Sequence, residues 1–430
     1  MISHQSKYLI IGNGAAAINA VEAIRAGDAD GAITLVARES EHVYSRPLIS
    51  YLLAGKVDDG GMDYRGRDFY DKHKVQTILG VEATKLDEAA REVTLSDGRR
   101  LGFEKLLIAT GGKPIRPPIK NLDSPGVFAF TTWADEQAIE QFMTVHGKPR
   151  NAVVLGGGLI GLKTVEALVE RDIPVTLVEL ADRILSVSFD KDASRLAEAS
   201  LKSEGVTIRT GSTIDEVLCQ DGRVSGAKLN DGSQVDCDML VVAIGVRPDA
   251  AIAAGTSVKV DRGIVVDERM QSSVDGIFAA GDVAQVADAI SGVSRPVPIL
   301  PAAARQGRIA GVNMAGGKAR YEGGVSMNAV DVVGLPTISI GQTLEEAGDE
   351  VLAKLDADIA VYRKIVIRKD RIIGALFIGR IERAGIFTGL IRSKVDVSTF
   401  KHLLLSDEFG LLSLPVDYRA HMVKGAGIEV

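Results

Sequence analysis

Cysteine is almost absent from this chain, which has only Cys219 and Cys237 among its 430 residues. The two lie too far apart to form a CxxC pair, and neither belongs to a cluster of metal-ligating residues. The six histidines are scattered without metal-ligand spacing. The sequence therefore predicts no metal site and no iron-sulfur cluster within the chain, and we interpret both cysteines as structural.

Long runs of one chemical character are missing as well. No apolar stretch reaches the roughly 18 residues that a membrane-spanning helix needs. The formal net charge is -7, the isoelectric point is near 5.6, and no long basic run occurs, which argues against nucleic-acid and anionic-membrane partners. The N-terminal residues lead directly into an apolar run without the pattern of a secretory signal. We expect a cytoplasmic protein with small-molecule or protein partners.

Glycine, by contrast, is abundant, with 46 glycines against 13 prolines. The order "KYLIIG", "GNGAAA", "INAVEAIRAG", "AITLVARE" predicts a strand, a tight turn, a helix and a second strand. About 144 positions later, "NAVVLG", "GGGLIG", "LKTVEALVERD" and "VTLVE" repeat that order. The sequence therefore predicts two βαβ units and two nucleotide sites.

The first glycine turn has the residue types that a dinucleotide pyrophosphate requires. Gly12 permits the tight turn, Gly14 lets the backbone approach the phosphates, and Ala17 is small enough for helix and strand to pack closely. The phosphates would lie at the helix N-terminus. Glu39, at the end of the next strand, would accept hydrogen bonds from the ribose hydroxyls.

The second glycine turn repeats these roles. Gly156, Gly158 and Gly161 form the turn, and Glu179 ends the following strand. A carboxylate at that position binds a free ribose 2′-hydroxyl and repels a 2′-phosphate, and the neighbouring Leu180 offers no cation. The pattern favours NADH over NADPH.

Each βαβ unit is joined to an alternating apolar and polar stretch that predicts a β-meander ending in a buried strand. From about Val325 the glycine-rich character fades, and apolar runs predict a hairpin with covering helices. We therefore predict an α/β fold with two Rossmann-like dinucleotide-binding domains of the three-layer ββα type and a C-terminal α+β interface domain. The predicted domains are 1–113 with 250–324, 114–249, and 325–430.

Three further strings, "LLIATGG", "VVAIGVRPD" and "SSVDGIFAAGD", resemble signatures of the pyridine nucleotide-disulfide oxidoreductase superfamily of flavoprotein reductases. The resemblance extends to about residue 320. Within it, "EHVYSRPLISYLLAGK" and "QGRIAGVNMAGG" are most similar to the branch that contains rubredoxin and ferredoxin reductases and the flavin part of NADH nitrite reductase. The resemblance implies FAD in the first unit and NAD(H) in the second.

The resemblance also implies roles for individual residues. Asp282 would bind the FAD ribitol, Arg46 the pyrophosphate, and Leu300 would lie near the isoalloxazine. An Arg also suits a pyrophosphate because its fork matches two phosphate oxygens. The FAD set is Gly12, Gly14, Ala16, Ala17, Glu39, Arg46, Pro47, Ser50, Ala83, Thr110, Gly111, Gly281, Asp282 and Leu300. The second unit adds Gly156, Gly158, Leu159, Ile160, Gly161, Lys163, Glu179 and Gly245.

Two departures from the family pattern bear on the chemistry. Disulfide reductases and related peroxidases carry cysteine shortly after the first βαβ unit, where this chain reads "HVYSRPLIS", so dithiol and peroxide chemistry are disfavoured. Ferredoxin reductases of the branch commonly pair a Lys with a Glu beside the flavin, at positions occupied here by Tyr51 and Lys163. We hypothesise that Lys163 places positive charge near the flavin and stabilises its reduced form.

The predicted function is an FAD-dependent NAD(H) oxidoreductase that exchanges single electrons with a separate iron-sulfur protein or subunit. Hydride transfer needs stacked rings but no proton relay, so no acid-base residue is predicted. The tail from Gly379 resembles NAD-linked flavoprotein subunits of multisubunit enzymes such as phenylglyoxylate dehydrogenase and tungsten aldehyde oxidoreductase. The subunit would belong to a hetero-oligomer, and a homodimer is the alternative. Other readings are a rubredoxin or ferredoxin reductase with a diffusible carrier, an NADH oxidase, and a non-catalytic NADH-sensing flavoprotein.

Overall fold

A computed structural model describes residues 4–416 and residue 419 of the protein, so residues 1–3 of the predicted first domain and residues 417, 418 and 420–430 of the predicted C-terminal domain lie outside it. The first βαβ unit and its meander occupy the N-terminal part. Their elements are β1 (His4–Ile11), α1 (Ala15–Gly27), β2 (Ile33–Ala37), α2 (Ile49–Leu53), α3 (Phe69–Lys72), β3 (Val75–Leu79), β4 (Ala83–Asp87), β5 (Glu92–Leu95), β6 (Arg100–Ile108) and β7 (Gly112–Pro114).

The second βαβ unit and its meander follow. Their elements are β8 (Val127–Ala129), α4 (Trp133–His146), β9 (Ala152–Leu155), α5 (Leu159–Val169), β10 (Val175–Val178), α6 (Lys191–Ser203), β11 (Thr207–Arg209), β12 (Ile214–Gln220), β13 (Arg223–Leu229), β14 (Gln234–Asp236), β15 (Met239–Val242) and β16 (Val246–Pro248).

The chain then returns to the first unit before it forms the C-terminal region. The returning elements are β17 (Ile264–Val265), β18 (Ile277–Ala279), β19 (Ala284–Ala287), β20 (Ser294–Pro296) and α7 (Leu300–Met314). The C-terminal elements are β21 (Met327–Val332), β22 (Leu335–Gly341), β23 (Glu350–Asp356), β24 (Val361–Arg368), β25 (Arg371–Ile378) and α8 (Ala384–Arg392).

The two units build parallel sheets of the same order. The first runs β3-β2-β1-β6-β18, and β6 continues into the antiparallel meander with β5 and β4. The second runs β11-β10-β9-β15-β8, beside a separate meander of β12, β13 and β14. Strands such as β2 and β9 are buried at every position, as expected of parallel strands covered on both faces. The predicted α/β architecture is confirmed.

The fifth strand of each sheet comes from a distant part of the chain. β18 pairs with β6, and β8 pairs with β15, both in parallel. The two strands lie in similar strings, "GIFAA" from Gly276 and "GVFAF" from Gly126. In this alignment Thr131 and Thr132 of the second unit correspond to Gly281 and Asp282 of the first. This repeat is hard to recognise in the sequence because β18 follows its βαβ unit along the chain, whereas β8 precedes its own unit.

Two structural features join the nucleotide-binding domains. β7 and β16 pair as an antiparallel ribbon, at the places where the sequence predicts the domain boundaries. In addition, the segment 44–62, which we call the strap, leaves the first sheet after β2 and packs on the second domain. Its buried residues Tyr44, Ile49, Leu53 and Met62 belong to the core that contains Phe130 and Trp133 of the second domain, in a single cluster of packed side chains. The division into domains at residues 113/114, 249/250 and 324/325 stays a prediction.

The C-terminal region differs from the predicted hairpin with covering helices. It is an antiparallel sheet of order β21-β22-β25-β24-β23, covered on one face by α8. The edge strand β23 is mostly exposed and therefore carries no apolar alternation. The string "VSTFKHLLL" forms a short 3₁₀ turn at Lys401–Leu403. Of the elements in this region, the local apolar periodicity therefore predicted only the hairpin β24–β25 and the helix α8 correctly.

The sheet's other face packs on the second nucleotide-binding domain. Tyr362 and Lys364 both donate to Asp190, with O···O and N···O distances of 2.7 and 2.8 Å. Asp190 also caps α6 through the amide of Ala193. No helix within the described part of the chain is long and apolar enough to cross a membrane.

Candidate functional site

The first glycine turn leaves an open space at the N-terminus of α1. Gly12 has φ +117°, and a Cβ there would overlap the carbonyl of Ala109 at the end of β6. A Cβ on Gly14, by contrast, would meet nothing within 4 Å. Gly14 is the N-cap residue, and it provides no side-chain cap for the helix. Free amides facing open space suit a pyrophosphate, so this end of α1 fits the predicted dinucleotide.

Behind this turn, α1 packs unusually close to α7. Ala16 and Ala17 are buried, and a Cβ on Gly307 or Gly311 of α7 would overlap the backbone of α1 at Ala16 or Ala20. Gly307 and Gly311 are not among the residues predicted from the sequence, although their four-residue spacing places them on one helix face. This contact fixes α7, and with it Leu300 at its first residue, against the turn.

The carboxyl end of β18 contributes Gly281 and Asp282. A Cβ on Gly281 would lie 3.2 Å from the Cβ of Ala16, which places this segment beside the α1 N-terminus. Burial raises the pKa of the Asp282 carboxyl, and the positive charge of Arg46 opposes that effect. The predicted ribitol residue and the predicted pyrophosphate residue are therefore electrostatic neighbours.

Glu39, after β2, lies in a hydrogen-bonded group with residues of the strap. Tyr44 Oη donates to Glu39 Oε2 at 2.5 Å, and Arg46 pairs with Glu39 Oε1. Arg46 Nη1 also donates to the carbonyl of Thr131 in the second domain at 2.9 Å. Tyr44 is not among the residues predicted from the sequence, although it lies two residues before Arg46 in the string "EHVYSRPLISYLLAGK". Pro47 and Ser50 follow in the same strap.

The remaining predicted FAD residues lie at the domain junction or on the meander. Thr110 Oγ1 donates to the carbonyl of Asp249 at 2.6 Å, and the amide of Asp249 donates to the carbonyl of Gly111 at 2.9 Å. These bonds lie beside the β7/β16 ribbon. Ala83 begins β4, shortly after Val81, whose amide donates to the carbonyl of Ala37 at the end of β2. Ala83 is therefore on the Glu39 side of the sheet.

The second glycine turn copies the first. Gly156 has φ +114°, and a Cβ there would lie 2.5 Å from the carbonyl of Ala243. Gly158 caps α5 without side-chain help and faces open space. Gly161 approaches the carbonyl of Gly156 too closely for any side chain. Leu159 and Ile160, at the start of α5, are half-buried.

Glu179 also stands where the sequence predicted. Its carboxylate accepts hydrogen bonds from the amides of Gly157 at 2.5 Å and Ala181 at 2.7 Å. Its neighbour Leu180 is exposed, and Gly245 follows β15 on the strand next to β9. A carboxylate held beside an open helix N-terminus fits a ribose with a free 2′-hydroxyl.

Lys163 and Tyr51 face each other between α2 and α5. The ammonium of Lys163 lies 5.3 Å from the centre of the Tyr51 ring, and Lys56 lies 5.9 Å from it. Lys163 also pairs with Glu166, one turn along α5. The two positions that carry the family's Lys and Glu are therefore in contact here, but the charge of Lys163 is balanced by a carboxylate of its own helix.

The cysteines both lie in the second domain, at its meander. Cys219 is exposed on β12, and its thiol donates to Ser124 Oγ at 3.2 Å. Cys237 is buried, and burial together with Asp238 and Asp236 raises the pKa of its thiol to about 12. A thiol with that pKa is not a nucleophile at neutral pH.

Comparison with protein families matches residues 6–315 to the family described as pyridine nucleotide-disulphide oxidoreductase. Residues 327–395 match the rubredoxin NAD+ reductase C-terminal domain. The second match covers all five strands of the antiparallel sheet and the whole of α8.

Curated proteins and solved structures give similar results. The chain is 33% identical to subunit epsilon of the NADH-dependent phenylglyoxylate dehydrogenase of Aromatoleum evansii, over 92% of this chain and 94% of that protein. It is 28% identical to a nitrite reductase of Bacillus subtilis over 92% of this chain and 48% of that protein, so it spans about half of that relative. A solved NAD-dependent persulfide reductase from A. fulgidus has a TM-score of 0.85 at 27% identity, over 93% of this chain and 79% of that one.

Proposed function

The chain belongs to the pyridine nucleotide-disulphide oxidoreductase family, and from this premise we propose that it is the NAD-linked flavoprotein subunit of a multisubunit dehydrogenase. Family membership confirms the predicted fold class and cofactors: the protein is an FAD-dependent NAD(H) oxidoreductase. When bound, FAD accepts or returns a hydride at the nicotinamide and exchanges electrons singly with a second carrier. In the proposed complex that carrier is an iron-sulfur partner, and NAD+ is reduced.

One observation carries the subunit proposal. The similarity to the phenylglyoxylate dehydrogenase subunit runs over nearly the whole length of both chains, 92% of one and 94% of the other. The match includes both the nucleotide-binding domains and the C-terminal region of this chain. It also spans nearly the full length of the relative, and not one part of a larger reductase. With two cysteines, the chain itself cannot supply the four that an ordinary iron-sulfur cluster needs. The single electrons therefore need a partner.

We assign FAD to the first unit. The amides at Gly14 would hold the pyrophosphate with Arg46, Glu39 would hold the adenosine ribose, and Asp282 the ribitol. Leu300, at the start of α7, would contact the isoalloxazine. Gly12 and the close packing of α7 on α1 keep these groups in register.

We assign NAD(H) to the second unit, with Gly158 at the pyrophosphate and Glu179 at the adenosine ribose. Lys163 is assigned to the region between the two nucleotides, where Tyr51 orients it. Because Glu166 balances its charge, its effect on the flavin potential is expected to be smaller than that of an unpaired lysine. Hydride transfer requires no proton relay, so the residues act by orientation.

The experiment is to purify the native protein from its own cells at mild salt, identify what accompanies it, and count the bound iron. A stoichiometric iron-sulfur partner supports the subunit proposal. A lone yellow protein, reduced by NADH, contradicts it and leaves the oxidoreductase activity standing. Release of peroxide during aerobic NADH consumption would identify an oxidase instead.

A second candidate, a reductase for a diffusible carrier such as rubredoxin, is favoured by the C-terminal match. Residues 327–395 match the C-terminal domain of rubredoxin NAD+ reductase. This candidate predicts fast NADH-dependent reduction of an added rubredoxin or ferredoxin at micromolar concentration. The subunit proposal predicts slow reduction of both, because a permanent interface replaces a transient one.

A further inference from the structure

The strap, residues 44–62, belongs by sequence to the FAD-binding unit and by packing to the NAD-binding domain. Its apolar side chains Tyr44, Ile49 and Leu53 are buried in the same cluster as Phe130 and Trp133. The Tyr44 and Trp133 rings meet edge to face at 5.5 Å. A residue of the strap that also touches the FAD site therefore connects two domains that otherwise share the β7/β16 ribbon.

Tyr44 makes that connection through one oxygen. Its Oη donates to Glu39 Oε2 at 2.5 Å and accepts from the amide of Trp133 at 3.1 Å. Trp133 is the first residue of α4, whose N-terminus is held by the capping box of Thr132 and Asp135. Burial raises the pKa of the Tyr44 hydroxyl, so it remains a donor at all physiological pH values.

Arg46 reinforces the connection from the same segment. Its guanidinium pairs with Glu39 and donates to the carbonyl of Thr131 at 2.9 Å, and Asp282 acts on it electrostatically. Thr131 and Asp282 follow the strands β8 and β18, which are equivalent in the internal repeat, so Arg46 interacts with residues at the carboxyl ends of both strands. The strap is thus bonded to the end of β8 and interacts electrostatically with the end of β18.

We propose that Tyr44 is a positioning residue that couples FAD binding at Glu39 to the placement of the NAD-binding domain. The inference rests on the proposed role of Glu39 toward FAD. The Trp133 amide holds the Tyr44 oxygen at the position from which that oxygen donates to the Glu39 carboxylate. Binding of the FAD ribose at Glu39 therefore stabilises the junction of β8 and α4. Because coupling between two sites is reciprocal, an ordered β8/α4 junction also strengthens the binding of FAD.

The test measures the release of FAD from the full-length holoenzyme, followed by the rise in flavin fluorescence, with and without saturating NAD+. Wild type is expected to release FAD at least about 5-fold more slowly when NAD+ is bound. Tyr44→Phe should bring that ratio close to one. The matched control is Tyr8→Phe. Tyr8 is also a buried tyrosine, and its hydroxyl donates to the Asp28 carboxylate at 2.8 Å. Asp28 lies at the opposite end of α1 from Gly14, so this bond is remote from the proposed FAD pyrophosphate site.

The control should keep the wild-type ratio. Equal release rates in wild type with and without NAD+, or an unchanged ratio in Tyr44→Phe, would overturn the proposal. If Tyr44→Phe does not fold, amide hydrogen exchange in wild type replaces it: FAD should slow exchange at Trp133, and no change there contradicts the coupling. If NADH does not reduce the bound flavin, the proposed function is refuted. The release of FAD can still be measured in that case, because the measurement requires binding of FAD and NAD+ but no electron transfer.

Discussion

Glu136 is a buried carboxyl whose ionisation opposes folding. It lies in the first turn of α4 and is 3% exposed. Burial raises its pKa from 4.5 to about 7, the carboxylates of Glu140 and Asp59 add to the shift, and Arg171 opposes it. Around neutral pH, therefore, the folded protein retains a proton that the unfolded chain has already released.

The sign and the size of the effect follow from this difference. Below pH 4.5 the group is protonated in both states and does not affect the free energy of unfolding. Between pH 4.5 and about 7 only the unfolded chain releases the proton, so stability falls as pH rises, by about 1.4 kcal/mol for each pH unit. Above pH 7 the full penalty, about 3 kcal/mol, is present.

Glu136→Gln removes the charge and keeps the shape, so it should be more stable than wild type at pH 8 by up to about 3 kcal/mol. At pH 4.5 the two proteins should differ little. The assay compares their melting temperatures from pH 4.5 to 8, with Glu322→Gln as an exposed control that should follow wild type throughout. A stability difference that stays the same at pH 4.5 and pH 8 would refute the reasoning.

Two further predictions concern the glycine contact and the NAD(H) site. Gly307→Ala drives a Cβ into the carbonyl of Ala16, so it should lower stability by about 1–3 kcal/mol and release FAD; Gly385→Ala, in α8 with nothing within 4 Å, should be neutral or slightly stabilising. Intact FAD content in Gly307→Ala would contradict the close-packing argument. Glu179→Gln keeps the shape but would lose the proposed charge-assisted bond to the ribose, so kcat/KM for NADH should fall about 10-fold or more, while kcat/KM for NADPH should not fall. Equal losses for both cofactors would mean that Glu179 acts only on the fold of its own loop.

The parts of the site that depend on local backbone chemistry could be predicted from the sequence. Gly12 and Gly156 have positive φ because each turn must bend tightly beside a neighbouring strand. Glu39 and Glu179 each follow the strand after their glycine turn, at a spacing set by one helix and one strand. The family strings then supplied the identity of the cofactors, and family membership confirms it.

Other contacts could not be predicted because they join segments distant in sequence. Nothing in the sequence distinguishes Tyr44 from other tyrosines in a cofactor motif. Its bond to Trp133, 89 residues away, shows that it links two domains. Lys163 had the expected neighbour in Tyr51, but the structure adds Glu166, which balances its charge. The C-terminal sheet was underestimated because the exposed strand β23 has no apolar pattern.

By itself, the sequence determined the two glycine turns, the acidic residues that follow them, the buried strands and the kind of chemistry, since each depends on residue type and short spacing. The tertiary structure alone decided what covers each element: the fifth strands β8 and β18, the packing of α7 on α1 through Gly307, and the strap in the core of the other domain. The physical reason is that periodicity shows which face of an element is apolar. It does not show which distant segment will bury that face.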